Sequence, residues 1–166
     1  MGLRQIRVHG DEILLKRSKP VKEVDAGVLA LLDDMVETLR EKEAVGIAAP
    51  QIGVLKRVAV VEHQDELYEM INPEITDTEG NQNCIEACLS VPGRQGDVDR
   101  PMKVTVSALN REGKTYSVTV DDFLASAFCH ELDHLDGVIF LDKATNVQLI
   151  TKEQVEERRA KRRRKK

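Results

Sequence analysis

Apolar positions spaced three and four apart mark the first element. Val28, Leu31, Leu32, Met35 and Leu39 fall on one helical face, while Asp33, Asp34, Glu37, Arg40 and Glu41 lie opposite. Asp25 stands where an N-cap belongs, so the pattern predicts a helix from there to about residue 42. Stretches rich in β-branched residues follow at 57–62, 67–71, 103–109 and 115–120, and they predict strands. Asn110-Arg111-Glu112-Gly113 between the last two reads as a hairpin turn. Asp121 or Asp122 then caps a second helix over 123–135, which Asp136-Gly137 stops in the manner of a glycine C-cap. Thr151-Lys152-Glu153-Gln154 has the capping-box spacing and opens a third helix. Helices and strands are segregated rather than alternating, which predicts an α+β fold. Residues 80–101 hold seven Gly, Pro and Asn residues without a clear period, so they are expected to be irregular and functional.

A chain of 166 residues is one domain's worth, long enough to bury a core without staples. A hydrophobic fraction of 41% beside a charged fraction of 33% places it among ordinary globular proteins rather than disordered ones. Its longest apolar-leaning stretch, 45–54, is broken by Pro50 and Gln51, so no membrane span is expected. Residues 1–4 lead into no apolar run, and a cytoplasmic location is the expectation. Aromatic residues are 3% with no Trp, which argues against base-stacking platforms and aromatic sugar shelves. Three cysteines are read as reduced thiols with one or more on a metal, in preference to a disulfide framework.

The net charge of −4 conceals two opposed blocks. Residues 152–166 carry nine Lys/Arg against three Glu, leaving 16 bases and 26 acids in residues 1–151. The expected organisation is therefore a catalytic domain over 1–150 and a basic helical tail of the same domain over 151–166. Such a tail is either a solvated helix end or a docking element for a polyanion, RNA above all.

The chemistry concentrates in the second helix, where His130-Glu131-Leu132-Asp133-His134 is an H-E-x-x-H pattern. A spacing of four puts both imidazoles on one face, where one ion can take both. With four His in the chain, a chance match is roughly a 1% event, so the pattern is informative. Glu131 lies about 100° round the helix from His130, placed to meet water at a metal without being a ligand. A hydrolytic site needs a third protein ligand and an open position. His9 and His63 lie in unrelated settings, and Glu153, Glu156 and Glu157 belong to the tail helix. A thiolate is the better choice. Cys129 adjoins His130 and points away from it, so it reads as packing, while Cys84 and Cys88 remain alternatives on spacing alone.

Gly46-Ile47-Ala48-Ala49-Pro50-Gln51, Glu86-Ala87-Cys88-Leu89-Ser90 and His130-Glu131-Leu132-Asp133-His134 occur in that order. With these three motifs the chain resembles the bacterial peptide deformylases over nearly its whole length. The resemblance implies antiparallel or mixed sheets packed around a central metal-bearing helix. It also implies removal of the formyl group from the initiator methionine of nascent polypeptides. It selects Cys88 beside His130 and His134 as the metal ligands and implies Fe(II), one ion per chain. The donor set alone would have said Zn(II), and Ni(II) or Co(II) would also fit. Glu131 is then the base, with the Gln51 side chain and the Leu89 backbone N–H as oxyanion donors. Gly46 and Ile47 are expected to flank the cleft as extended backbone, where a peptide could add as a strand. Phe123 and Ala127 are candidates for the methionine pocket, with ordinary core packing as the alternative, and Asp133 either orients an imidazole or forms a plain salt bridge. The basic tail fits attachment to the ribosome.

Three positions depart from the family pattern. Ala44, Ala87 and Asp122 stand where glycine is usual, and Ala87 would sit beside the metal ligand and the substrate. A positive φ at either alanine would cost about 1 kcal/mol or more. Two other readings stay open at this level: an H-E-x-x-H zinc peptidase using Glu153 or Glu157, and a non-catalytic binding module with the same fold.

Overall fold

The computed structural model describes residues 2–164. Its elements run α1 (Ala26–Glu41), β1 (Gly46–Ala48), β2 (Val58–His63), β3 (Glu66–Glu79), β4 (Gln82–Cys88), β5 (Val91–Arg100), β6 (Lys103–Leu109), β7 (Thr115–Asp121), α2 (Asp122–Leu135), β8 (Thr145–Leu149) and α3 (Lys152–Arg164). Two antiparallel sheets form, one of order β1-β2-β3-β6-β7 and one of order β4-β5-β8.

Strand β2 shows how the layers are built. Val58, Ala59, Val60 and Val61 are all fully buried, and the period of two sends them to opposite faces. Ala59 and Val61 pack with Ala125, Phe128 and Leu132 of α2. Val58 and Val60 pack with Leu32, Met35 and Leu39 of α1. A strand buried on both faces reads as a continuous apolar run, which is why residues 58–61 show no alternation in sequence. A smaller cluster of Leu14, Val91, Val98, Ile139 and Phe140 backs the three-stranded sheet.

The α1 and β6–β7 expectations agree closely with the structure. Asp25 accepts a hydrogen bond from the Val28 N–H at 3.0 Å as the cap of α1. Asn110 holds the hairpin by accepting from the N–H groups of Glu112 and Lys114. The capping box of α3 closes reciprocally between Thr151 and Gln154. Residues 80–101, in contrast, are not irregular. They form the β4–β5 hairpin, whose register slips between Glu86 and Cys88, so Pro92–Gln95 face Ala87 alone. Such a bulge accommodates the Pro and Gly residues that obscured the strands in the sequence. Strand β8 pairs with β5 and was not foreseen.

Helix α2 begins with Asp122 at φ 54°, the left-handed region that the short Asp side chain tolerates. Asp121 is the N-cap residue but makes no side-chain cap bond. Gly137 takes φ 76° after the last turn, and a Cβ there would stand 2.5 Å from the Leu15 carbonyl oxygen. In α3, Val155, Arg158, Arg159 and Arg162 form a half-buried stripe at helical spacing. Lys165 and Lys166 of the basic tail lie outside the described residues.

Candidate metal centre

The helix α2 projects His130 and His134 to one side, with ring centroids 5.1 Å apart. Cys88, the last residue of β4, reaches them from the other sheet, with Sγ 3.4 Å from His134 Nε2. One donor atom from each of Cys88, His130 and His134 lies within 4.8 Å of the others. No other cluster of three such donors occurs among the described residues. A thiol and two imidazoles converging this closely suit a tetrahedral d-block cation with one position left for water.

The ring orientation is set by neighbours. Glu86 Oε1 lies 2.7 Å from His130 Nδ1. Arg100 holds Glu86 through Nε at 2.7 Å and Nη2 at 2.9 Å. Burial pushes the Glu86 carboxyl up, but the bonds from Arg100 and His130 outweigh it and bring the pKa down to about 2. An ionised Glu86 only accepts, so His130 Nδ1 carries a proton. Burial works against a charged ring, but Glu131, Cys88 and Glu86 together hold its pKa well above the ordinary value, so a cation would have to displace the proton on Nε2. His134 Nδ1 has no partner among the described residues, and burial drives that imidazole well below its ordinary pKa. A neutral imidazole is the form that binds a metal.

Glu131 is buried, and its Oε1 has no hydrogen-bond partner among the described residues. Burial raises its pKa to about 7. The other face of this carboxylate lies against β1: a Cβ on Gly46 would stand 2.5 Å from Glu131 Oε2. Only glycine lets the strand and the carboxylate share that space. Strand β1 is the edge of its sheet, so its outer side is open to an added strand. The Ile47 side chain is fully buried against α1, so only its backbone is left at the outer edge of β1.

Gln51 sits in a 3-10 turn over Ala49–Ile52 and is buried. Its Oε1 accepts from the Ala48 N–H at 2.9 Å, which aims Nε2 toward Ser90 Oγ at 3.1 Å and Cys88 Sγ at 3.4 Å. Leu89 lies in the turn between β4 and β5, next to Cys88. Ala87 is exposed on the opposite face of β4 from Glu86 and Cys88. Neither Ala44 nor Ala87 has a positive φ, so the feared backbone strain is absent.

The remaining candidates are placed as follows. Asp133 touches neither imidazole; it pairs with Arg100 at 2.7 Å and Lys143 at 3.1 Å. Phe123 is 49% exposed with its ring against His63, whereas Ala127 is partly buried on the core that α2 shares with the large sheet. His9 lies beside Arg94, and neither His9 nor His63 joins the donor cluster. Glu153, Glu156 and Glu157 are exposed on α3. Burial raises the thiol pKa of Cys84, and that of Cys129 to about 11. Glu86, Ser90 and Arg100 were not singled out from the sequence as contributors to this site. Their contacts join residues far apart in the chain, and the only local signal was the placement of Glu86 and Ser90 within the motif around Cys88.

A family model described as polypeptide deformylase matches residues 3–149. A peptide deformylase of Acetivibrio thermocellus is 52% identical over 166 residues, covering 100% of this chain and 96% of that one. The crystal structure of a peptide deformylase from Thermotoga maritima superposes with a TM-score of 0.84 at 33% identity, covering 86% of this chain and 98% of that one. One from Legionella pneumophila gives a TM-score of 0.83 at 37% identity, covering 98% and 96%.

Proposed function

The chain belongs to the polypeptide deformylase family, and from that premise we propose how its own residues remove the N-formyl group from the initiator methionine of nascent polypeptides. The observation that carries the reading is the convergence of Cys88, His130 and His134 beside a buried, unpartnered Glu131 oxygen. Cys88, His130 and His134 would hold one divalent cation, taken as Fe(II) by the resemblance, with Zn(II), Ni(II) or Co(II) compatible with the same donors. Such a cation supplies Lewis acidity, polarising the formyl carbonyl and lowering the pKa of water from about 15.7 toward about 7.

Glu131 receives the proton of the attacking water and returns it to the departing amine, so one carboxylate is base and then acid. Its raised pKa of about 7 suits that exchange at neutral pH. Negative charge that develops on the formyl oxygen is met by Gln51 Nε2 and the Leu89 backbone N–H. A donor of this kind is typically worth about 3–4 kcal/mol on removal. The open edge of β1 at Gly46 and Ile47 pairs with the substrate backbone. Phe123 and Ala127, on the first turns of α2, remain the candidates for bordering the methionine side chain, while the Ala87 side chain points to the face of β4 away from Cys88 and leaves only its backbone for the substrate. Release of formate from formyl-Met-Ala-Ser tests the activity: turnover by protein loaded anaerobically with Fe(II) is expected, and zero turnover ends the assignment.

The peptidase alternative required a tail glutamate as the third ligand, and the donor cluster contains none. It predicts full metal content in Cys88→Ser, whereas the thiolate reading predicts loss of most of the ion. The non-catalytic alternative rested on Ala44 and Ala87, whose φ values impose no penalty.

We divide the chain into a catalytic domain over 1–150 and a basic helix over 151–166 of the same domain. A chain ending at residue 150 should keep its turnover. Because the substrates are nascent polypeptides, the working location is the cytoplasm, and no described helix is long and apolar enough to cross a membrane. Lys161 and Arg164 face solvent on α3, available for ribosomal phosphates. Removing 158–166 should abolish low-salt co-sedimentation with ribosomes, and unchanged binding would defeat that assignment.

A further inference from the structure

The thiol and the imidazoles of the centre belong to different layers of the fold. Cys88 is carried by β4 of the small sheet, and His130 and His134 by α2, which packs on the large one. A metal site assembled this way needs something to fix the distance between its halves before an ion arrives. Arg100 sits in that gap. Its guanidinium donates two near-parallel bonds to Glu86, two residues before Cys88, at 2.7 and 2.9 Å. A third, from Nη1, goes to Asp133 of α2 at 2.7 Å. Glu86 also takes His130 Nδ1 at 2.7 Å, so Arg100, Glu86 and His130 form a continuous chain of contacts. The Arg100 side chain is only 2% exposed, and this network is drawn from β4, β5 and α2 at once.

We propose that Arg100 is a positioning residue that ties the Cys88 strand to the histidine helix and so presets the spacing of the metal ligands. Three fixed donors in a plane do this where a lysine would not. A single ammonium reaching one carboxylate leaves the other element free to drift. The cation gains affinity because the protein has already ordered its ligands, and the effect is transmitted through Glu86 and Asp133 without any contact between Arg100 and the ion.

The inference rests on the Cys88, His130 and His134 assignment, and its test separates the two. Zn(II) affinity is measured by competition with a chromophoric chelator for the wild type, Cys88→Ser, Arg100→Lys and Asp133→Asn. Circular dichroism of the metal-free proteins counts only folded material. The Co(II) absorption spectrum of each reports the thiolate–metal bond. Retention of metal by Cys88→Ser sinks the site itself. If that variant loses metal as expected, Arg100→Lys should bind Zn(II) about 10–100-fold more weakly, with a shifted thiolate-to-Co(II) band. Asp133→Asn removes charge from only the α2 end and should lose less. Wild-type affinity and spectrum in Arg100→Lys, even with a lowered melting temperature, would reduce Arg100 to an ordinary ion pair and overturn the proposal. Should Arg100→Lys fail to fold, Asp133→Asn decides alone: weakened affinity upholds the tie, and unchanged affinity rejects it.

Discussion

Arg100 and the arginines of α3 carry the same guanidinium into opposite surroundings. Arg100 is 2% exposed and meets two carboxylates with three bonds of 2.7–2.9 Å. Arg163 is 52% exposed, and its 2.8 Å contact with Glu43 reaches a carboxylate that is itself 42% exposed. Water and salt screen the second contact and barely reach the first. Removing one partner of a buried pair leaves a charge that nothing hydrates, at a cost of about 3–5 kcal/mol. The charge count in the sequence points to the tail, where nine bases lie together. The energetically consequential arginine is the solitary one at the end of β5.

The contrast can be pressed by experiment, beginning where the interior should respond most. Glu131→Ala removes the proposed proton carrier and should lower formate release by about 10²–10⁴-fold while metal content stays constant, as measured by elemental analysis. Gly46→Ala pushes a methyl into the space that Glu131 Oε2 occupies, 2.5 Å away, and should lower turnover by roughly tenfold or more. A wild-type rate in Gly46→Ala would mean that the carboxylate has room to move.

The next test is one of acid stability. In the metal-free protein Glu86 titrates at about 2, against an ordinary value of 4.5. Between those values the unfolded chain binds a proton that the native state refuses, so Glu86 favours folding above that window. The contribution is lost as pH falls from 4.5 toward about 2. Urea midpoints should therefore drop across that interval in the wild type and drop less in Glu86→Gln. Equal slopes would place the acid sensitivity elsewhere. The smallest effect belongs to the surface. Cutting the chain after residue 157 removes the half-buried Arg158, Arg159 and Arg162 with their contacts to Gln95 and Glu43, and should lower the urea midpoint slightly, by less than Glu86→Gln does. A larger loss would show that the surface helix carries more of the stability than the buried network.

How much of this was legible depended on whether an interaction is local in the chain. The spacing of His130 and His134 reports a helix face directly, because four residues make about one turn. The α1 stripe and the Asn110 turn were legible for the same reason. Residues 80–101 were misread because the bulge opposite Ala87 gathers Pro92 and Gly93 into a strand that still pairs on either side. Glu86 meets His130 across 44 positions and Arg100 meets Asp133 across 33. Nothing short-range records such a pairing, so the wiring around the ligands emerged only in three dimensions. Strand β1, three residues long, is too short for any period to show.

The different surroundings of the three thiols have a practical corollary. Cys84 and Cys129 are both held in the protonated form by their surroundings, and a protonated sulfur is a poor nucleophile. Alkylation of Cys88 by iodoacetamide should proceed in apoprotein and stop once a cation is seated on that sulfur, as peptide mass spectrometry would record. One sulfur atom then serves as an occupancy gauge, telling empty molecules from loaded ones without reference to substrate.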